Sequence, residues 1–360
     1  MMFEYSGAIH MHSTYSDGTG TVPDIMRYAN ETNLDFAILT DHNTMGARDD
    51  GFEKWYNDSM LIVGYEMNDL QNKNHYLTFG LDKVIGSYEK LDDGELGSIL
   101  TAEEYVKKIN DEGGFGFTAH PDEKRNWLPD HPSYPWQAWD AEFTGIEIWN
   151  HMSEWIEGMN EKNKLQRFLH PLRSIIAPPE STLQKWDGLN TKRKVVGIGG
   201  IDAHAHKQNI MGFYEVEIFP YKVLFKSIRT NVLLETEIKK NNSQTFHHDK
   251  LKILNALKNG NSFIVNTYHG SGKGFRFFAD YNGKSYIMGD EIIYDNPDKK
   301  IILRALIPEK AKVRLIKDGV CIDEFESMEC IWDSDEKGSY RIECWKNDKG
   351  WIFSNHIRVL

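Results

Sequence analysis

The sequence predicts an α/β fold, a parallel sheet closed into a barrel and followed by a small all-β sandwich. Two observations carry this. Short apolar runs alternate with helical stretches over roughly the first 200 residues. From about Gly274 onward, strand-like runs follow one another with no helix between them. The composition supports a sizeable core: 40% of the 360 residues are apolar, 12% are aromatic, and ten are Trp.

The elements follow in chain order. Ala8–His10 reads as the end of a strand. Thr21-Val-Pro-Asp24 reads as a helix start, with Thr21 as N-cap, Pro23 in the first turn and Asp24 at the positive end of the helix dipole. Leu34–Thr40 and Leu61–Gly64 read as buried strands. Thr101-Ala-Glu-Glu104 is a capping-box pattern, and Gly113 is placed to end that helix. Phe115–Thr118, Thr144–Trp149 and Lys194–Ile198 are further strand candidates. Segment 210–274 connects the two units and carries a helix over Asp249–Asn259, stopped by Gly260. In the tail, Phe275–Asp280, Ile301–Ile307, Lys312–Lys317, Tyr340–Trp345 and Phe353–Val359 read as strands. Asp318-Gly319 and Lys337-Gly338 mark turns. The expected division is residues 1–274 for the barrel and its connection, and 275–360 for the sandwich.

Charge and composition exclude several function classes. A formal net charge of −12 repels nucleic acid polymers but leaves a small anionic substrate open, because bound metals invert the local field. No apolar run reaches the roughly 18–20 residues of a membrane span. Met1–His10 lacks the basic and apolar regions of a secretory signal. The three cysteines, Cys321, Cys330 and Cys344, fit neither a disulfide framework nor a zinc finger, and a reducing cytoplasmic setting is the expectation.

The chemistry lies in where the histidines and carboxylates fall. His10, Asp41-His42, Glu66, His120, Glu147 and Asp202 each sit at or just past the end of an expected strand. In a parallel barrel those ends share one face, where active sites form. The oxygen and nitrogen donor set suits Zn, Mn or Fe.

His10 and His12 point to one side of a strand and can reach one ion. A His-x-His pair arises by chance about 0.5 times in such a chain, so it counts only in this context. Asp17, in Ser16-Asp17-Gly18, can be a turn residue or a ligand. His42 is expected as a ligand with Asp41 beside it, and Glu66 as a carboxylate bridging two ions. His75, His120, Asp202 and His204 complete the set, and Glu147 is either a partner of a ligand or a ligand itself. The bland reading of His206 is a solvated loop residue. Lys124, Arg125 and Arg229 are candidate phosphate contacts, or ordinary surface charges. Trp127, Tyr134, Trp136 and Trp139, interleaved with Pro129, Pro132 and Pro135, can cap a pocket or pack on the barrel rim.

These motifs resemble those of the polymerase and histidinol phosphatase (PHP) superfamily. They are His10-x-His12…Ser16-Asp17-Gly18, Leu39-Thr-Asp41-His42-Asn43, Gly64-x-Glu66, His75, Ala119-His120-Pro121 and Gly200-x-Asp202-x-His204. The resemblance covers roughly residues 8–206 and implies a distorted (β/α)7 barrel with two or three divalent ions. By position it implies a first ion at His10, His12, Glu66 and Asp202, and a second at Asp17, His42 and His204. A third would lie at Glu66, His75 and His120. The tail resembles that of PHP-type metallohydrolases ending in a β-sandwich, a branch grouped with carbaryl hydrolase, although His356 stands where that branch usually has Pro.

The leading expectation is therefore a phosphoesterase in which a hydroxide bridging two ions attacks a small phosphorylated molecule. A carbamate, ester or amide hydrolase using the same cluster is the alternative. The third reading is a non-catalytic metal- or carbohydrate-binding protein.

Overall fold

Residues 2–91, 94, 96–126, 132–210 and 214–360 are described by the structure, a computed structural model. The first strand, β1 (Phe3–Ile9), pairs in parallel with β2 (Phe36–Leu39), and β2 with β3 (Ser59–Val63). Helix α1 (Val22–Glu31) connects β1 to β2, and the Thr21 side chain caps it by accepting from Asp24 N. The chain then enters a second sheet. There β4 (Tyr65–Met67), β5 (Tyr76–Phe79) and β6 (Phe115–Thr118) pair antiparallel. Strands β6, β7 (Gly145–Asn150) and β8 (Val196–Gly200) continue it in parallel. Helix α2 (Ala102–Asp111) carries the Thr101–Glu104 capping box. Helices α3 (His151–Glu157), α4 (Lys164–Leu169) and α5 (Glu180–Asn190) lie between β7 and β8.

The fold is mixed α/β, and its sheets do not close into the expected continuous barrel ladder. Instead the two sheets meet at two seams. Asp202 N donates to His10 O at 2.7 Å and His12 N to Ala203 O at 3.0 Å, which joins the end of β1 to the end of β8. Asn43 N donates to Glu66 O at 2.8 Å, which joins the end of β2 to β4. Both seams lie at strand ends, and both are made by backbone flanking the candidate ligands. Gly200 permits one of them: a Cβ there would lie 1.8 Å from Glu147 Oε1 and 2.9 Å from the His10 Cβ.

Strand β9 (Ile228–Leu234) runs antiparallel to β1, and β10 (Ser262–Asn266) to β9. Between them lies α6 (Phe246–Asn259), which ends at Gly260 with φ +75. The tail contributes β11 (Arg276–Tyr281), β12 (Ile301–Lys317), β13 (Val320–Ser334), β14 (Gly338–Lys346), β15 (Lys349–Ser354) and β16 (Ile357–Val359). These strands do not form a free-standing sandwich sheet. Phe263, Ile264 and Val265 pair with Ser354, Phe353 and Ile352, so the tail extends the sheet that contains β1.

Two tail strands differ from expectation. Ile301–Ile307 and Lys312–Lys317 are one strand with a register shift between Leu306 and Ala311. Strand β13 follows the Asp318-Gly319 turn, whose two residues both have positive φ as a tight hairpin requires. The acidic run Asp323, Glu324, Glu326 and Glu329 hides it in the sequence, because a strand paired on only one side tolerates charge. Among the described residues no helix is long and apolar enough to cross a membrane.

Candidate metal centre

The seams place the candidate ligands. His10 has φ +66, His120 φ +29 and Asp202 φ +52, backbone conformations that L residues hold only when the surroundings impose them. Each ends a strand and turns its side chain inward, and all three are at least 95% buried.

Glu66, 1% exposed, is the centre. Its Oε1 lies 2.8 Å from His75 Nδ1 and 3.2 Å from His120 Nε2. Its Oε2 lies 2.9 Å from His10 Nε2, 3.1 Å from His12 Nε2 and 3.8 Å from His42 Nδ1. Asp202 Oδ1 adds contacts at 3.3 Å to His10 and 3.4 Å to His12. On the outer side, Asp17 Oδ2 is 3.2 Å from His204 Nε2, and Asp17 Oδ1 is 3.6 Å from His12 Nδ1.

Four overlapping groups of donors result: His12, Asp17, His42 and His204; His10, His12 and Asp202; His10, Glu66 and His120; and His42, Glu66 and His75. All nine expected ligands are in them. The grouping differs from expectation: Glu66 falls outside the group of His10, His12 and Asp202, His12 also joins Asp17, His42 and His204, and His75 and His120 fall in separate groups that share Glu66.

This donor set suits divalent cations. His12 is fully buried, yet neither ring nitrogen makes a hydrogen bond of acceptable geometry among the described residues. A buried imidazole whose neighbouring carboxylates are poorly aligned for hydrogen bonds gains from coordinating a cation. The carboxylates and imidazoles also shift one another. Burial pushes His10 down, but Asp202, Glu147 and Glu66 outweigh it and hold it well above its ordinary value. Burial likewise opposes protonation of His12 and His120, but acidic neighbours bring them up to about 10 and about 9. Burial would raise Asp17, yet His204, His12 and His42 hold it far below the usual carboxylate range. His42 drops to about 3, first through burial and then through His12.

The supporting residues are equally specific. Glu147 belongs to none of the donor groups. Its Oε1 sits 2.8 Å from His10 Nδ1, and its Oε2 accepts from His120 N at 2.7 Å and from Asn150 Nδ2 at 2.9 Å. It therefore orients His10, whose other nitrogen faces Glu66. Asp41 accepts from Ser13 N at 2.6 Å, Ser13 Oγ at 2.7 Å and Ser16 Oγ at 2.7 Å, pinning the loop that carries Asp17. Sequence reasoning missed Ser13, Asn150, Asn72 and Tyr221. Asn72 Oδ1 lies 3.0 Å from His75 Nε2, and the Tyr221 hydroxyl donates to His12 O at 2.6 Å. Asn150, next to the expected strand end at Trp149, was the one with a usable signal.

The candidate phosphate contacts separate. Arg125 lines the cavity over the cluster, its guanidinium 4.7 Å from the Tyr134 ring centre and one nitrogen 2.9 Å from Glu123 Oε1. Lys124 is not in that lining; its ammonium lies 3.4 Å from Asp122 and 3.8 Å from Glu157. Arg229 is a correction. It donates to Phe225 O at 2.7 Å and Thr32 O at 2.8 Å, so it ties helix ends together away from the cluster. The aromatic segment also divides. Tyr134 stacks on His75 at 4.8 Å, whereas Trp136 is buried against Tyr76 and Phe143, and Trp139 packs on Phe143. Trp127 and Pro129 lie outside the described residues. His206 lines the cavity and stacks on His204 at 5.0 Å, so it is more than a solvated loop residue.

Residues 8–131 match the family model of the PHP domain. An uncharacterized protein from Methanocaldococcus jannaschii is 23% identical over 162 aligned positions, covering 39% of this chain and 80% of that protein. Two solved structures are similar at lower identity. One is a two-domain protein from Bacteroides vulgatus described as containing a predicted PHP-like metal-dependent phosphoesterase, at 14% identity and TM-score 0.39, covering 99% of this chain and 95% of that one. The other is an amidohydrolase from Chromobacterium violaceum with bound sulfate, at 14% identity and TM-score 0.30, covering 55% and 87%. At these distances no activity transfers from either structure.

Proposed function

We propose, on the premise that this chain carries a PHP domain over residues 8–131, that it is a metal-dependent hydrolase of small phosphate esters. The observation that supports this best is the placement of Glu66, whose two oxygens face different sets of histidines within one buried cluster. That is the arrangement a carboxylate shared between two ions needs.

His10, His12, Glu66, Asp202, Asp17, His42, His204, His75 and His120 would hold two or three divalent ions of the Zn, Mn or Fe type. When bound, such ions acidify water and offset the charge of a phosphoryl group. The chain's own residues do the rest. Glu147 fixes the His10 ring, and Asp41 fixes the loop bearing Asp17. Arg125 offers a guanidinium that lines the same cavity and suits a phosphate oxygen. Tyr134 stacks on His75 and shields that ring.

A carbamate, ester or amide substrate is the second reading, favoured by the apolar residues Met152, Trp155 and Phe168 in the same cavity. Arg125 beside the cluster tips the balance to phosphate. The sequence-level division near residue 274 belongs to this proposal, with the tail bracing the hydrolytic unit.

Metal content per chain, measured on protein purified without added metal or chelator, tests the reading alongside His12→Ala. Two or three ions per chain, fewer in the variant, and hydrolysis of phosphomonoesters or phosphodiesters are expected. Absence of bound metal, with no uptake of Mn or Zn, would falsify it. Hydrolysis of carbamates but not phosphates would move the assignment to the second reading.

A further inference from the structure

The cavity above the donor cluster has a volume of about 600 Å³, the size of a small-molecule site. One side is the polar cluster with Arg125 and Tyr134. The other side is apolar. Met152, Trp155, Ile156 and Met159 come from α3 and the residues just after it. Their spacing of three, four and seven residues is one face of a helix. Phe168 of α4 and Phe219 complete the wall.

Core packing is the plain explanation for such a stripe, and it accounts for part of this one. Trp155 is 3% exposed and meets Phe168 and Phe219 edge-on at 4.8 and 5.0 Å. It accounts less fully for Phe168, which stays 37% exposed, and for Met152, which packs on the core yet is only half-buried. Both also line the cavity, and Phe168 borders a neighbouring one as well. The wall is also held in place. Arg167 donates to Glu154 O at 3.3 Å and Trp155 O at 2.8 Å, and Trp155 Nε1 donates to Arg167 O at 3.0 Å, so α4 is tied to α3. A substrate that was polar throughout would leave water against this surface, whereas a ring would release it.

We infer that the phosphate ester taken by this site carries an apolar, ring-sized organic group, seated against Met152, Trp155, Met159 and Phe168. The phosphoryl end faces the donor cluster and Arg125. The inference rests on the phosphoester reading above and adds the substrate class: amphipathic monoesters, anionic at one end and aromatic or alicyclic at the other.

The test compares benzyl phosphate with ethyl phosphate on the Mn-loaded full chain. Their leaving alcohols are of similar basicity, so a difference in kcat/KM reads binding of the ring. A preference of about tenfold or more for benzyl phosphate is expected, from the size of apolar-group discrimination in pockets. That ratio falls by roughly tenfold in Phe168→Ala and is largely kept in Phe168→Leu. Met152→Ala is the second variant should the first fail to fold, and it shifts the ratio the same way. Binding of benzylphosphonate against methylphosphonate, by calorimetry, gives a readout that needs no turnover. If neither ester is cleaved but benzylphosphonate binds about tenfold tighter, with the margin lost in Phe168→Ala, the wall is supported and only the phosphoester reading falls. Equal kcat/KM for the two esters, or phosphonates that bind equally or not at all, overturns the inference; cleavage of both esters at equal rates does so while leaving the phosphoester reading standing.

Discussion

Two buried polar clusters in this molecule are built from similar residue types and behave differently. One is the donor cluster around Glu66. The other joins α5 to the tail through Asp187, Arg341, Glu343 and His356, all less than 4% exposed except His356 at 4%. In the second, every carboxylate oxygen has a donor. Asp187 Oδ1 accepts from Arg341 Nε at 2.6 Å and faces His356 Nε2 at 2.8 Å, and Asp187 Oδ2 accepts from Arg341 Nη2 at 2.8 Å. Glu343 accepts from Arg341 at 2.7 Å, from Arg314 at 3.1 Å and from Trp345 Nε1 at 2.9 Å. Fixed guanidinium charge balances the carboxylates there. Around Glu66, Asp202 and Asp17 the close partners are imidazoles, which converge on shared carboxylates. The difference teaches that burial of charge by itself does not mark a site. Carboxylates matched to fixed guanidinium charge brace the fold, whereas carboxylates matched to titratable imidazoles form the cluster for which we propose a cation.

Breaking each cluster separates the two roles. Glu66→Gln is expected to give the largest effect, a loss of kcat/KM on the order of 10³-fold, together with at least one metal ion per chain by elemental analysis. A loss of thermal midpoint with metal content unchanged would make Glu66 a structural residue.

Arg341→Ala is expected to cost about 3–5 kcal/mol in denaturant unfolding, whether or not metal is present, because it leaves Asp187 buried without its guanidinium. Replacing the pair together, as Asp187→Leu with Arg341→Met, should restore most of that. A single variant that lost metal instead of stability would erase the distinction between the clusters.

Glu147→Gln should weaken metal binding or activity by about 10–100-fold while the metal still binds, since it orients His10 without ligating. Retention of full affinity would show that the Glu147–His10 contact does not tune the site.

The smallest expected effect is on pH dependence. In metal-free protein His12 and His120 stand at about 10 and about 9, above the ordinary imidazole value. The folded state therefore binds protons more tightly than the unfolded one. This stabilisation is complete below about pH 6.5 and is lost as pH rises toward 9–10. The carboxylates Glu66 and Asp202, held low by His10, contribute in the opposite sense, losing stability only in acid. Chelator-treated protein should thus melt progressively lower from pH 6.5 to 10, and the gain in melting temperature on adding metal should grow over the same range. A flat profile would contradict the proton-for-metal exchange. Asp187, held low by Arg341 against its burial, predicts no change in that window for the second cluster.

The sequence determined the helix caps, several strand ends and which histidines and carboxylates converge. Caps at Thr21 and Thr101 are local hydrogen bonds between neighbours, and candidate ligands such as His10, Glu66 and Asp202 follow apolar runs that announce strands. Local spacing carries that information because strand ends and caps involve only adjacent residues. Tertiary structure alone decided the rest. Arg229 and Arg125 look alike in sequence, yet one ties helix carbonyls and the other faces the cavity, because their surroundings come from segments up to about 200 residues away. The tail reads as a separate sandwich but joins the first sheet, since pairing between Phe263–Val265 and Ile352–Ser354 depends on edges brought together only by folding. His356, in place of the usual Pro, reads as a departure in the tail and proves to contact Asp187, 169 positions away in the chain. Such long-range partners leave no periodic trace, so only packing reveals which polar residues complete one another and which await a cation.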